Sequence, residues 1–190
     1  MNAWQQHLDD HIAEILLDEA TIQNRVAELA EQITVDYTRM GAEELVTVGI
    51  LRGSVLFLSD LIRKIQMPVN LDFMAVSSYG GATTSSGMVR ILKDLSHSIQ
   101  DRHVLIVEDI VDTGRTLQCL NELLQARKPA SLKICTLLDK PSRRLVETDV
   151  DYVGFTIPDR FVIGYGLDYD DAWRQLPYIG VLKPEVYKKD

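Results

Sequence analysis

The stretch of this chain richest in chemistry is VLIVEDIVDTGRTL, Val104 to Leu117. An apolar run leads straight into Glu108 and Asp109. After a short link, Asp112, Thr113, Gly114, Arg115 and Thr116 open a helical pattern. Two acids at the mouth of a buried strand are costly unless they meet cations or hydrogen-bond donors. Thr113, Gly114 and Thr116 supply the opposite chemistry: free backbone N–H groups, two hydroxyls and the positive end of a helix dipole form an anion cradle. Acids beside such a cradle suit a ligand that carries sugar hydroxyls, a bound Mg²⁺ and a phosphate. A purely structural reading makes the same segment a strand-to-helix turn, with Asp112 as N-cap and Gly114 relieving strain.

Other familiar site patterns are missing. No GxxxxGK[ST] occurs, and Gly164-Tyr165-Gly166 lacks the third glycine of a dinucleotide fingerprint, which leaves these as plain strand residues. Asp168, Asp170 and Asp171 lack the glycine and glutamate that an EF-hand needs at fixed positions. His7 and His11 stand four apart with no third ligand near and read as a solvated pair. Cys119 and Cys135 have no CxxC spacing and sit in apolar company, as buried reduced thiols do.

The elements that must position the acids are legible in the hydrophobic pattern. Ile22, Val26, Leu29, Ile33 and Tyr37 recur at helical spacing within Asp18 to Tyr37. LVTVGIL (Leu45 to Leu51) reads as a buried strand, and Leu58, Leu61, Ile62 and Ile65 as one face of a helix ended by Pro68. Further strands are expected at Val69 to Ser78, Met88 to Leu95, His103 to Asp109, Ser131 to Lys140, Tyr152 to Ile157 and Phe161 to Gly166. A helix with Leu117, Leu120, Leu123 and Leu124 on its buried face falls between the third and fourth of these. The Gly/Ser/Thr-dense segment Ser78 to Gly87 reads as a mobile loop. Strands alternating with helices imply βαβ units and a mainly parallel sheet flanked by helices, an α/β fold. In such sheets ligands sit beyond the C-terminal strand ends.

Composition bounds the rest. The 190 residues are 46% hydrophobic and 25% charged, with no repeat, low-complexity block or linker, so one domain with a substantial core is expected. Lys and Arg number 20 against 28 Asp and Glu, a net charge of −8, which argues against a nucleic-acid or anionic-membrane partner. The N-terminal residues carry acids where a signal peptide carries a basic start, and no apolar run reaches the length of a membrane span. A cytoplasmic location is therefore expected.

VLIVEDIVDTGRTL resembles the phosphoribosyl pyrophosphate signature of type I phosphoribosyltransferases, and more narrowly that of the hypoxanthine(-guanine) branch. GILRGSVLFLSDL, SSYG, LLDKPSRR and IPDRFVIGYGLDYDDAWRQLPYIGVL extend the match over most of the chain, and the ending LPYIGVLKPEVY is similar to bacterial members. The resemblance implies a single phosphoribosyltransferase domain over residues 1–190. Its core would span about 36–155, with a small hood from the N-terminal segment and about 156–190. It implies Mg²⁺ as cofactor, a purine base and phosphoribosyl pyrophosphate as substrates, and a homotetramer or homodimer.

Residue by residue, the resemblance assigns Glu108 and Asp109 to the ribose hydroxyls and their magnesium. Asp112, Thr113, Gly114, Arg115 and Thr116 would hold the 5′-phosphate, with Asp112 also acting at purine N7. Arg52, Gly53 and Arg174 would contact pyrophosphate, in a loop where the family uses a non-proline cis peptide. Lys140 would meet the purine 6-oxo group, Phe161 would stack on the base and the Val162 backbone would read its edge. Asp168 would serve the purine site and a second Mg²⁺. Ser78 and Tyr79 would begin a loop that closes during reaction. Departures are small: Arg52 replaces a lysine of some relatives, Asp170 a frequent asparagine, and Trp173 a smaller aromatic. Two other readings on the same fold are disfavoured. An RNA-binding regulator conflicts with the acidic charge. A pyrimidine or adenine transferase conflicts with Lys140, which suits a 6-oxo acceptor.

Overall fold

Alternation along the buried strands sets the layers of this molecule, whose computed structural model describes residue 8, residues 10–78 and residues 89–187. Side chains point to opposite faces at successive strand positions. In β2 (Leu45–Leu51), β5 (His103–Val111) and β6 (Ser131–Asp139), Val46, Val48, Ile50, Val104, Ile106 and Ile134 face one way. There they meet Leu117, Leu120 and Leu124 of a helix at Arg115–Gln125. Leu45, Leu105, Val107, Cys135 and Leu137 face the other way, against α1 (Glu19–Arg39) and α2 (Val55–Ile62). The Arg115–Gln125 helix is α3. A three-layer sandwich results, each face burying one stripe of helix.

Helix α1 begins where Asp18 accepts a hydrogen bond from the Thr21 N–H at 2.7 Å, a side-chain N-cap. Its buried stripe Ile22, Val26, Leu29, Ile33 and Tyr37 is the expected one. The Tyr37 hydroxyl donates to the Val104 carbonyl at 2.8 Å, tying the helix to the strand that carries the acids.

The main sheet also contains β3 (Val69–Ser78), β4 (Val89–Lys93) and β7 (Tyr152–Thr156). Its order is β4-β3-β2-β5-β6-β7, with β4 antiparallel to β3 and all other neighbours parallel. The chain leaves β2 toward β3 on one side and leaves β5 toward β6 on the other. The crevice between the C-terminal ends of β2 and β5 is therefore a topological switch point, where open α/β sheets bind ligands.

A second, antiparallel sheet of β1 (Ile12–Leu17), β9 (Ile179–Leu182) and β8 (Val162–Ile163) forms the hood. It is followed by the short helix α4 (Pro184–Tyr187). Several expectations change here. The segment Phe161 to Gly166 is a strand only at Val162–Ile163. Gly164, Tyr165 and Gly166 have φ of 96°, 47° and 104° and turn away from the ladder. A Cβ on Gly164 would lie 2.1 Å from the Tyr178 carbonyl oxygen, so only glycine fits the turn. Strands β1 and β9 were not anticipated, and α2 stops at Ile62 well before Pro68. Helix α1 packs in the cluster of the main sheet, and Val162, Tyr165, Leu167, Ile179 and Val181 of the hood join that same cluster.

Ile33 is fully buried whereas Val35, on the opposite side of α1, is 40% exposed. Truncating Ile33 to Ala should cost about 2–5 kcal/mol. Val35→Ala should stay within about 0.5 kcal/mol. Urea unfolding of both variants measures the difference.

Candidate active site

At the switch point the loop after β2 meets the end of β5 with no space between them. A Cβ on Gly53 would stand 1.5 Å from Asp109 Oδ2, and a Cβ on Gly166 would stand 1.9 Å from the Gly53 carbonyl oxygen. Both glycines are required for this stacking of acid, loop and hood. The Leu51–Arg52 peptide is cis. Gly166 in turn bonds Arg174 twice: its N–H donates to the Arg174 carbonyl at 2.9 Å, and its carbonyl accepts from the guanidinium at 2.8 Å. Arg174 also pairs with Asp168 at 2.8 Å and Asp171 at 3.3 Å. Arg52, 71% exposed, reaches the same Asp171 carboxylate at 2.9 Å. Two guanidiniums read as pyrophosphate contacts thus converge on one acid, Asp171, to which the sequence assigns no such role.

Glu108 is only 9% exposed. Burial, with the Asp109 carboxylate beside it, holds its acid well above the ordinary range. Burial likewise pushes Asp109 up to about 6, against the pull of the Ile110 N–H donated to its carboxylate at 2.7 Å. Such carboxylates want a cation. Their hard oxygens fit Mg²⁺, which takes one or two carboxylates and completes its shell from substrate oxygens and water. Among the described residues no three His, Cys, Asp or Glu side chains converge on one metal position. The anticipated metal ligands therefore divide into the Glu108–Asp109 pair and Asp168, which is held by Arg174.

Past the acids, Glu108, Ile110, Asp112, Thr113, Gly114 and Thr116 line a cavity of about 120 Å³. The N-cap of α3 is Gly114, at φ 83°, and not Asp112. A Cβ at Gly114 would come 2.8 Å from Thr148 Oγ1 and 2.9 Å from the Val146 carbonyl oxygen. Arg115 is the first residue of α3, so the free N–H groups of its opening turn belong to the loop that was read as a phosphate cradle. Freed from capping, the Asp112 carboxylate pairs with Arg143 Nε at 2.9 Å, while Arg144 donates to the Asp112 carbonyl at 3.0 Å and pairs with Asp139. Neither arginine had been assigned a role. The available signal was their position just beyond a strand end on the ligand-bearing edge.

Lys140 follows β6 and is 7% exposed. Its ammonium donates to the Arg160 carbonyl at 2.6 Å. Burial lowers its proton affinity, with Asp112 and Asp159 acting in the opposite sense. The next residue, Phe161, stacks on Tyr187 at 4.8 Å and meets Tyr169 edge-on at 5.6 Å. Val162, in register with Val181, fixes the backbone beside it. Ser78 ends β3; Tyr79 and the loop to residue 87, read as a closing segment, lie outside the described residues.

The raised Asp109 acid has a measurable sign. A displacement from 3.8 to about 6 corresponds to about 3 kcal/mol of destabilisation once both folded and unfolded states are ionised. The penalty is absent below the unfolded value, grows as pH rises toward 6, and is complete above it. Asp109→Asn should therefore raise the Tm of the ligand-free protein at pH 8 and leave it nearly unchanged at pH 3. Thermal unfolding at both pH values without divalent ions checks this.

Comparison with known proteins places the chain in a family. The Phosphoribosyl transferase domain family matches residues 13–170. The hypoxanthine-guanine phosphoribosyltransferase of Staphylococcus aureus strain COL is 54% identical over 180 residues, 95% of this chain and 99% of its own. That of Staphylococcus epidermidis is 55% identical over 175 residues, 92% and 96% of the two chains. A crystal structure of a hypoxanthine phosphoribosyltransferase from Staphylococcus aureus matches 100% of both chains, with a TM-score of 0.91 at 53% identity. The Trypanosoma cruzi hypoxanthine phosphoribosyltransferase matches 93% of this chain and 94% of its own, with a TM-score of 0.90 at 49% identity. A family match over most of the chain and more than half-identical relatives that span its length show that the chain belongs to the phosphoribosyltransferase family, as an enzyme of its hypoxanthine-guanine branch.

Proposed function

We propose that the chain transfers the 5-phosphoribosyl group from phosphoribosyl pyrophosphate to hypoxanthine, and to guanine, releasing pyrophosphate and the nucleoside 5′-monophosphate. The observation that carries this reading is the buried acid pair Glu108–Asp109, with Asp109 pressed against Gly53, on the same strand-end edge as the α3 opening and Lys140. Each part of the donor has a counterpart there. The N–H groups and hydroxyls from Thr113 to Thr116 suit the 5′-phosphate. Arg52, the Gly53 backbone and Arg174 suit pyrophosphate, since a planar guanidinium binds phosphate oxygens in pairs. Glu108 and Asp109 suit the ribose hydroxyls and Mg²⁺, and Asp168 a second ion. When bound, the metal supplies charge neutralisation for the donor's phosphates.

In the transfer, a purine ring nitrogen forms a bond to the ribose C1′ as the bond from C1′ to pyrophosphate breaks. The electron pair of that bond leaves with pyrophosphate. The proton lost from the ring at N7 passes to, or is shared with, the Asp112 carboxylate. The Lys140 ammonium donates to the 6-oxo oxygen, selecting oxopurines over aminopurines. Phe161 stacks on the base while the Val162 backbone meets its edge. Closure of the loop from Ser78 and Tyr79 excludes water while positive charge develops at C1′. The enzyme works in the cytoplasm as a homotetramer or homodimer.

Incubation with phosphoribosyl pyrophosphate, Mg²⁺ and each nucleobase should yield nucleotide from hypoxanthine and guanine; no turnover of either refutes the proposal. Asp112→Asn should lower kcat by about 10²–10⁴-fold, the usual worth of a positioned base, without lowering the Tm. Lys140→Ala should raise the KM for hypoxanthine more than that for the phosphoribosyl donor.

A further inference from the structure

Tyr165 combines features that core packing alone does not require. It is the middle residue of three with positive φ, and it carries a Cβ in a backbone region that bulky residues rarely adopt. Its ring is 4% exposed. Its hydroxyl donates to Asp60 Oδ2 at 2.7 Å, and Gln23 donates to the same oxygen at 2.5 Å. Burial and the Asp60 carboxylate raise the proton affinity of the phenol, so it remains a donor.

One end of this hydrogen bond adjoins Gly166 in the chain, and the other lies on the helix that follows the pyrophosphate loop. Asp60 belongs to α2, which is continuous with the loop after β2. Val55 N–H bonds the Arg52 carbonyl at 3.3 Å, Leu58 N–H the Ser54 carbonyl at 2.8 Å, and the Ser54 hydroxyl the Ile50 carbonyl at 2.7 Å. Tyr165 is bonded directly to Gly166, whose Cα rests against the Gly53 carbonyl and whose N–H and carbonyl both hold Arg174. Loosening Tyr165 lets Gly166 lift from Gly53 and carries Arg174 with it.

We propose that the Tyr165–Asp60 hydrogen bond clamps the hood onto the loop after β2, making Tyr165 and Asp60 positioning residues for the pyrophosphate group of the donor. This rests on the reading of Arg52, Gly53 and Arg174 as the pyrophosphate subsite. The clamp acts chiefly on the donor, reaching the base site only through the pair of Arg174 with Asp168. Lys140 and Val162, which serve the base, are held instead by the Arg160 carbonyl and by the ladder to Val181.

Tyr165→Phe keeps the ring and removes the donor. It should raise the KM for phosphoribosyl pyrophosphate by about threefold to tenfold, the worth of one hydrogen bond. Inhibition by added pyrophosphate should weaken by the same factor, and the KM for hypoxanthine should change by less than about twofold. Asp60→Asn, which keeps an acceptor for the hydroxyl, should give a smaller rise in the same parameter. The double variant should be no worse than Tyr165→Phe alone, because each substitution breaks the same bond. A fall in Tm with both KM values unchanged in the folded enzyme overturns the clamp and leaves Tyr165 a core residue. Arg174→Leu separates this from the underlying reading. If it leaves the donor KM and pyrophosphate inhibition unchanged, the subsite assignment fails. If it raises the KM while Tyr165→Phe does not, the subsite stands and the clamp falls.

Discussion

The site depends on a contact that excludes a side chain. Gly53 brings bare backbone against the Asp109 carboxylate, and Gly166 brings bare backbone against the Gly53 carbonyl. One added methyl group at either position would separate layers that the sheet topology has brought together. That topology makes the contact possible: β2 and β5 are neighbours, and their outgoing connections part at this edge. The loop after one strand and the acids of the other therefore share a crevice, and the hood caps it through Arg174.

Such a site is a local cost carried by a well-packed surround. Two carboxylates that resist ionisation sit at the end of a strand whose residues Val104 to Val107 are fully buried. Strand β5 is pinned on both sides by parallel neighbours and from above by the Tyr37 hydroxyl. Rigid support lets the acids keep a position that is unfavourable without ligand and favourable once cations and hydroxyls arrive. The neighbouring cations follow the same logic. Arg52 and Arg174 share Asp171, and Arg143 holds Asp112, so each guanidinium has a carboxylate partner that an anionic ligand can replace.

Local patterns carried most of the main sheet. The helix stripe from Ile22 to Tyr37 and the strands around Leu45, His103 and Ser131 were legible because each is long, strongly periodic or continuously apolar. The acid pair and the α3 opening were legible because charge at the end of such a strand demands a partner. Features fixed by distant contacts were not. Ile12–Leu17 forms a strand only by pairing with Ile179–Leu182 from the far end of the chain. Phe161 to Gly166 has strand-like composition, yet the approach of Gly166 to Gly53 and of Gly164 to Tyr178 bends it out of the ladder. Asp112 looked like a cap because it precedes a helix, but Gly114 in a left-handed conformation took that position. The partners of Arg143, Asp171 and Tyr165 became visible only when the loops were folded together.

The hood's hydrophobic residues have a mechanical consequence. Val162, Tyr165, Leu167, Ile179 and Val181 are packed in the same cluster as Leu58, Leu105 and Leu137 of the main layer. A hood mounted on a hinge would need an interface that can part without exposing its core, and this one cannot. Swinging it outward as a body would expose apolar surface on both sides, at about 25 cal/mol for each Å² uncovered. The hood is therefore not free to swing as a body, and the two sheets should share one fate on denaturation, melting together as a single cooperative unit.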